Sequence, residues 1–560
     1  MSQATSAGEA GGRGAVNREQ EVSPERRERQ EKHSVTLSAV VFLVGALLSR
    51  GLGLYRDTLI ARYLSEDVRD AFLNAFRLPN LFRRIFVEGG LSASFVPVHA
   101  QIEARTPERA QEFRSAAFAV LLSFSITVSL LLILFMDDVM RFLLSGSVYL
   151  NVPGKFGLTV SLARIMFGFF VLISLYGYFA AILSGLKRFA AVAFAPCFFN
   201  IAIVAAAKLS RGSTVPEFII AWAVLLGGFL QVAVLLPVVV KKGQLPGWSW
   251  NWRMPEVVQF LKLIGPTLFS LAIPQLVVLV NTRFAADLAS GTHSYLYLAE
   301  RLLEFPLSLF AVSLGTTLLP TLSQQWSKGD REAMSETFNH IARLVVFLAL
   351  PSAIGLFMLA QPICETLFLG REFKYDDVLA TAQVIRIYSF ALVFWAGARI
   401  LSQGFYAIQN LWYPPVAGGV ALVSHVLFCW ALTRSFRLEG LAAAFVLSSI
   451  VHFFMLAVAY NSWIGRFEAK KMLVSLGKFA VCSLVLAVMV HLHGPLHQAL
   501  AGRFRGGREL ALAAAIFLAA TAYFLSAALL RVPEFRETVT AFSRKLDRIL
   551  KEGRRQSGEK

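Results

Sequence analysis

The chain is a succession of apolar stretches joined by short polar links. The stretches lie near residues 36–64, 68–100, 113–136, 157–185, 191–208, 216–240, 257–288, 293–323, 337–360, 378–408, 412–433, 438–461, 471–491 and 509–530. Roughly 17 to 25 residues suffice to cross a bilayer, so the sequence predicts about 14 transmembrane helices. Hydrocarbon offers the backbone no hydrogen-bond partner, which makes a helix the natural form for each span. The expected fold class is an all-α polytopic membrane protein. Of 560 residues, 56% are hydrophobic and only 16% charged, a balance foreign to a water-soluble fold of this length. The net charge of +18 would suggest nucleic acid in a soluble protein. With no separate basic domain to read DNA or RNA, it is better matched to anionic lipid headgroups.

Two halves of the chain echo one another. SASFVPVHAQ and GTTLLPTLSQ share two apolar residues, a proline and a glutamine four places on, with prolines 320 − 97 = 223 residues apart. Arg164-Ile165 and Arg386-Ile387 are 386 − 164 = 222 apart, and Pro196 and Pro415 are 415 − 196 = 219 apart. A repeat of six spans returns the chain to its starting side. The two copies then share one orientation and are related by an axis along the membrane normal. The predicted organisation is a polar, unstructured tail (1–34), a first six-helix lobe (35–242), a second six-helix lobe (255–462), two additional helices (470–531) and a basic tail (532–560). The basic run RKLDRILKEGRR tips the lysine and arginine balance toward cytoplasmic termini on both ends. Cys197, Cys364, Cys429 and Cys482 are scattered and form neither a disulfide framework nor a zinc spacing. HLHGPLH, with His491, His493 and His497, reads as interfacial polarity, and no metal or cofactor is expected.

The informative residues are charges inside the spans. The run VTLSAVVFLVGALL, Val35 to Leu48, covers only about 21 Å, short of the ~30 Å hydrocarbon layer. The first helix must therefore continue through SRGLGLYRD, taking Arg50, Arg56 and Asp57 into the membrane. Asp57 lies two turns beyond Arg50 on nearly the same face, while Arg56 points about 120° away. The second span carries Asp70, Arg77, Arg83, Arg84 and Glu88, with Arg84 and Glu88 spaced to pair at i and i+4. In the second half, Arg301 and Glu304 share a face at i and i+3. An arginine at mid-bilayer costs roughly 2.5 to 3.5 kcal/mol on insertion scales, so such residues face a bundle interior or water. Several inward arginines make a cationic cavity, and a guanidinium forks onto phosphate oxygens. The substrate expected from these residues is anionic and phosphate-bearing. Arg69, Arg77 and Glu300 read instead as structural, neutralised by neighbours.

SRGLGLYRDTLIARYL, DAFLNAFRLPNLFRRIFVEGGLSASFVP and ERLLEFPLSLFAVSLGTTLLP closely resemble the MurJ (MviN) family, and the likeness extends over about 36–530. Members are lipid II flippases of the multidrug/oligosaccharidyl-lipid/polysaccharide exporter superfamily. The resemblance implies two six-helix lobes plus two C-terminal helices forming a groove for the substrate's polyprenyl chain. It implies lipid II as cargo, an undecaprenyl diphosphate disaccharide-pentapeptide, in the bacterial inner membrane, with cell-wall synthesis proteins as further partners. Carried over position by position, it implies substrate binding at Arg50, Arg56, Arg83, Arg84 and Arg301, and structural or gating charges at Asp57, Asp70, Glu88 and Glu304. Arg77 and Glu300 stand where relatives commonly carry Lys and Asp, which keeps the charge.

Other readings fit less well. An exporter of another polyprenyl-linked saccharide or small molecule would keep the fold and change the cargo. A membrane enzyme would need clustered acids or an acid–base pair in a large loop, and none is evident. A scaffold would have no use for arginines at membrane depth.

Overall fold

The computed structural model describes residues 24–86, 90–186, 188–500, 506–537 and 540, and among these it contains helices and no strand. The first ten helices are α1 (Pro24–Tyr63), α2 (Glu66–Ile85), α3 (Leu91–Arg105), α4 (Pro107–Leu134), α5 (Met136–Leu143), α6 (Ser147–Asn151), α7 (Lys155–Phe167), α8 (Phe169–Gly185), α9 (Phe189–Leu209) and α10 (Pro216–Lys241). The next six are α11 (Pro255–Ala285), α12 (Thr292–Ser327), α13 (Arg331–Leu367), α14 (Tyr375–Ser389), α15 (Ala391–Ala407) and α16 (Tyr413–Trp463). Three further helices are α17 (Ala469–Val490), α18 (His493–Leu500) and α19 (Gly507–Leu529).

Each predicted span falls on a helix, a pair of helices or part of a long one. α1 starts at Pro24, inside the stretch expected to be an unstructured tail. Pro24 stands at the first position, where its missing N–H costs nothing, and good helix formers follow in ERRERQEK. α16 has 51 residues, about 77 Å of helix, too long for one crossing. It breaks at Arg437, whose φ of 47° and ψ of −118° are not helical, and so holds the two spans expected over 412–433 and 438–461. Among the described residues nine helices are long and apolar enough to cross a membrane, or ten when α14 and α15, bent by 45°, count as one span. α1, α2, α3 and α12 are not among them. This count is of the described residues and falls short of the fourteen spans predicted.

The repeat reappears as architecture. The fourth span of the first half breaks at Gly168, between α7 and α8. Its counterpart breaks at Phe390, between α14 and α15, and 390 − 168 = 222, the offset of Arg164 and Arg386. The packing partners match too. α2 lies on α7, α3 on α8 and α4 on α8, while α12 lies on α14 and α15 and α13 on α15. α17 and α19 pack on each other and on α13. Tyr523 donates to the Phe347 carbonyl at 2.7 Å, and Arg343 holds Glu468 and Glu534 at 3.1 Å each. The added pair is thus fixed to the second half through its third span.

Close helix approach in the first half depends on adjacent glycines. A Cβ at Gly227 would lie 2.7 Å from the Phe199 ring and 3.1 Å from its backbone on α9. A Cβ at Gly228 would lie 2.7 Å from the Phe169 ring on α8. Small residues let membrane helices gain dispersion energy where no hydrophobic drive separates helix from lipid. Gly227→Val should cost about 1 to 3 kcal/mol, the usual effect of overpacking. A thermal scan of the purified variant should show a lowered unfolding midpoint; an unchanged midpoint would mean that α9 and α10 can part freely.

Candidate functional site

The charges of the first two helices and of α12 meet between the halves. Arg56 donates from Nε and Nη2 to Asp57 Oδ1 at 2.9 and 2.7 Å, and from Nη1 to Asn200 Oδ1 of α9 at 3.0 Å. Asp57 Oδ2 faces Arg301 Nε at 3.5 Å. Arg301 donates from Nη1 to Glu304 Oε2 at 3.1 Å, and from Nε and Nη2 to Tyr297 Oη at 3.2 and 3.1 Å. Glu304 Oε1 accepts from Arg84 Nη2 of α2 at 2.9 Å, and Glu300 lies 3.9 Å from Arg84 Nη1. The result is a chain of alternating charge, Arg56–Asp57–Arg301–Glu304–Arg84, running from α1 through α12 to α2. It crosses between the halves twice. Aromatic faces cover the cations: Arg56 lies over Phe76 and Phe199, and Arg301 over Tyr297.

A small cavity of about 20 Å³ lies beside this chain, lined in part by Arg77, Arg84, Gln275, Tyr297, Glu300 and Arg301. Its lining holds three guanidinium groups against one carboxylate. Arg77, expected to be merely neutralised, is buried and ties the halves together. It donates to Thr282 Oγ1 and to the carbonyls of Val278 and His293 at 3.5 and 3.4 Å. Arg83 turns back on its own helix, donating to Asn80 Oδ1 at 3.1 and 2.9 Å. Arg50 is exposed on α1 and outside the cavity lining. Glu88 lies outside the described residues. Arg84, expected to pair with it, pairs across the interface with Glu304.

A second cluster closes the interface at the end where α2, α7, α12 and α14 begin. Asp70 is fully buried. Its Oδ2 accepts from Lys155 Nζ of α7 at 3.0 Å and from the Gly291 N–H at 2.8 Å; its Oδ1 accepts from the Ser294 N–H at 3.0 Å and the Ser294 hydroxyl at 2.5 Å. One carboxylate therefore caps the N-terminus of α12 from the opposite half, where the helix dipole favours negative charge. Gly291 takes a φ of 85°, and a side chain there would run into Tyr295. Lys155 also reaches Asp67 Oδ1 at 2.8 Å and Ser290 Oγ at 3.1 Å. Beside it, Tyr295 donates to Glu66 at 3.2 Å and to Asp377, and Arg69 lies 3.6 Å from Asp377 and over the Phe373 ring. Arg62 donates to the Thr366 carbonyl at 2.7 Å.

Sequence reasoning missed Lys155, Asn200 and Tyr297. Asn200 did carry a signal: it is a lone amide in the apolar run FAPCFFNIAIV. Lys155 follows a Pro-Gly turn and looks like an ordinary interfacial lysine. Removing one member of a buried ion pair strands the other, at about 3 to 5 kcal/mol. Asp70→Asn should therefore destabilise the protein by that order, while Asp70→Asn with Lys155→Met should cost less than the sum of the single changes. A double-mutant cycle by thermal unfolding checks this; strict additivity would separate the two residues.

The sequence model of the family described as lipid II flippase MurJ matches residues 60–501. A probable lipid II flippase MurJ of Bdellovibrio bacteriovorus is 35% identical over 499 residues, covering 89% of this chain and 95% of the relative. The lipid II flippase MurJ of Burkholderia cenocepacia is 37% identical over 389 residues, covering 68% of this chain and 75% of the relative. Among solved structures, a lipid II flippase MurJ in an inward closed conformation superposes with a TM-score of 0.74 at 22% identity, over 89% of this chain and 100% of that one. An inward-facing multidrug transporter of the MATE family in the MOP superfamily gives 0.65 at 14% identity, over 76% and 98%, which speaks for the fold alone. With its membrane-embedded charges, paired halves and this breadth of match, the chain belongs to the MurJ family of lipid II flippases.

Proposed function

We propose that this protein moves lipid II from the inner to the outer leaflet of the bacterial cytoplasmic membrane by alternating access between its two lobes. The observation that carries this reading is the cavity between the lobes, whose lining holds Arg77, Arg84 and Arg301 and one carboxylate, Glu300. No bond is made or broken in such a step, so binding and release suffice. Fourteen spans with both termini in the cytoplasm put the Asp70 cluster on the outer side. The lobes are then closed outward by Asp70, Lys155 and Arg69, and the conformation described here precedes or follows loading.

The present cavity is too small for a disaccharide-pentapeptide, since drug-sized ligands alone occupy pockets of ~300–1,000 Å³. Loading therefore requires the lobes to part. In the empty protein, Asp57, Glu300 and Glu304 hold the arginines in place of the substrate. A diphosphate presents more charge and more acceptor oxygens than a carboxylate, and so competes for Arg301, Arg84 and Arg56. Asp57 and Glu304, displaced from these partners, loosen the links between lobes. Arg50 and Arg83 extend the same positive field along α1 and α2, Arg83 from within hydrogen-bond reach of the cavity residue Asn80. The polyprenyl chain stays in lipid against α17 and α19, which expose Leu484, Phe517 and Leu525. Anionic headgroups meet the basic segments outside the spans.

Arg56→Ala and Arg301→Ala should abolish growth when each replaces the sole flippase in a depleted strain, at normal protein abundance. Arg50→Ala should act the same way. Arg301→Lys should retain only part of the function, because an ammonium cannot fork onto two oxygens. A leaflet-accessibility assay for lipid II in the same cells reads the transport step itself. Full restoration of growth by all three alanine variants would overturn the assignment of these residues. Binding measured with lipid II against other undecaprenyl diphosphate sugars tests the cargo separately.

A further inference from the structure

A polar cluster in the second lobe lies outside the cavity and has no part in the scheme above. His425, on the first half of α16, is fully buried. Its Nε2 is 2.9 Å from Asn281 Oδ1 on α11, and its Nδ1 is 3.2 Å from Ser448 Oγ, beyond the Arg437 break. Cys429, one turn along, places Sγ 3.5 Å from Nε2. Three helical segments thus converge on one imidazole in the apolar interior of a lobe.

The partners suit both protonation states of the ring. An amide oxygen only accepts, so with the amide oriented as here Nε2 carries a hydrogen in either state. Ser448 Oγ is 3.0 Å from the Phe445 carbonyl as well. With its hydrogen on that carbonyl, the hydroxyl offers a lone pair to an Nδ1–H. Turned the other way, it donates to a bare Nδ1. The same heavy atoms therefore satisfy neutral imidazole and imidazolium, whereas a histidine placed only for packing needs a partner for one state alone.

We propose that His425, Asn281 and Ser448 form a proton-binding site in the second lobe, whose occupancy biases the packing of α11 against α16. The titratable group in contact with the ring is Cys429 on the same helix; His452 follows one turn beyond Ser448, and Tyr388 of α14 is within electrostatic reach of Cys429, Glu300 and Arg77. On α11 the charged pair Arg283–Asp287 is exposed at the helix end, and on α15 Arg399 points outward. None of Cys429, His452 and Tyr388 supplies a negative charge at neutral pH. A proton on His425 is therefore held most tightly when water reaches the contact between α11 and α16. By linkage, acid shifts the population toward that looser packing. The next residue on α11, Thr282, accepts from Arg77 of the first lobe, and Gln275, Val278 and Leu279 line the cavity. A shift of α11 thus moves the cavity wall and a link between the lobes.

The test needs no lipid II, so it stands apart from the assignment of cargo. The full chain, in nanodiscs and with nitrogen-15 histidine, is titrated from about pH 8 down to about pH 3. Spin labels at Leu134→Cys and Arg371→Cys report the distance between lobes; the native cysteines are buried. The His425 ring should pass from neutral to charged, and the distance distribution should change over the same range. His425→Gln should remove the pH dependence, and His452→Gln should keep it. Ser448→Ala takes an acceptor from the cation and should lower proton affinity roughly fivefold, a result that stands even where His425→Gln fails to fold. A ring that stays neutral throughout, a wild-type pH profile in His425→Gln, or an unmoved midpoint in Ser448→Ala would each overturn the proposal.

Discussion

A guanidinium group inside hydrocarbon persists only with partners that cost less than its return to water. Here two of the three arginines of the central chain, Arg84 and Arg301, share carboxylates across the interface between the lobes. Arg56 and Asp57 neutralise one another on α1, yet the second oxygen of Asp57 faces Arg301 across the interface. Arg301 shares Glu304 with Arg84 of the first lobe. Separating the lobes breaks this sharing and leaves desolvated charge behind unless water or an anion replaces it. In the function proposed above, the charge chain links conformation to cargo, because an anion that takes over these arginines also loosens the contact between the lobes.

The two charged regions between the lobes are built differently. Around the cavity, Arg84 and Arg301 are held by carboxylates and are only partly enclosed. At the other end, Asp70 is fully buried and its four partners include two backbone N–H groups that no ligand can carry away. The second cluster resists exchange and yields only when α12 moves as a body. A reversible site beside a stiffer closure is what alternating access requires, because the binding event has to act before the opposite side lets go.

Much of this was legible in the sequence. The spans follow from hydropathy, and the near-constant offset between the halves recurs in the break of the fourth span at Gly168 and Phe390. Arg56, Asp57, Asp70, Arg84, Arg301 and Glu304 were marked by their cost at membrane depth, and the structure brings all but Asp70 into one chain. Helical spacing misjudged the partners. Asp57 was placed on nearly the same face as Arg50 with no partner named, and it is bonded by its neighbour Arg56. A long flexible arginine can fold back along the backbone, which the direction of its Cβ does not forbid. Arg84 found Glu304 across the interface, beyond anything local spacing can state. Lys155 and Tyr297 carried no signal, because a lysine after a turn and a single tyrosine are ordinary in any span.

The sequence by itself determined that the chain spans a membrane, that it repeats, and which costly charges must be explained. Transfer free energy and helical periodicity act on neighbours along the chain, so a reader of residues can apply them. Only the tertiary structure decided which carboxylate each arginine meets, that Asp70 caps a helix of the opposite lobe, and that His425 gathers partners from three segments. Those choices depend on approaches of a few ångströms between residues far apart in the chain, such as Arg84 and Glu304. Coulombic and hydrogen-bond energies fall off over that distance and leave no periodic mark in the sequence.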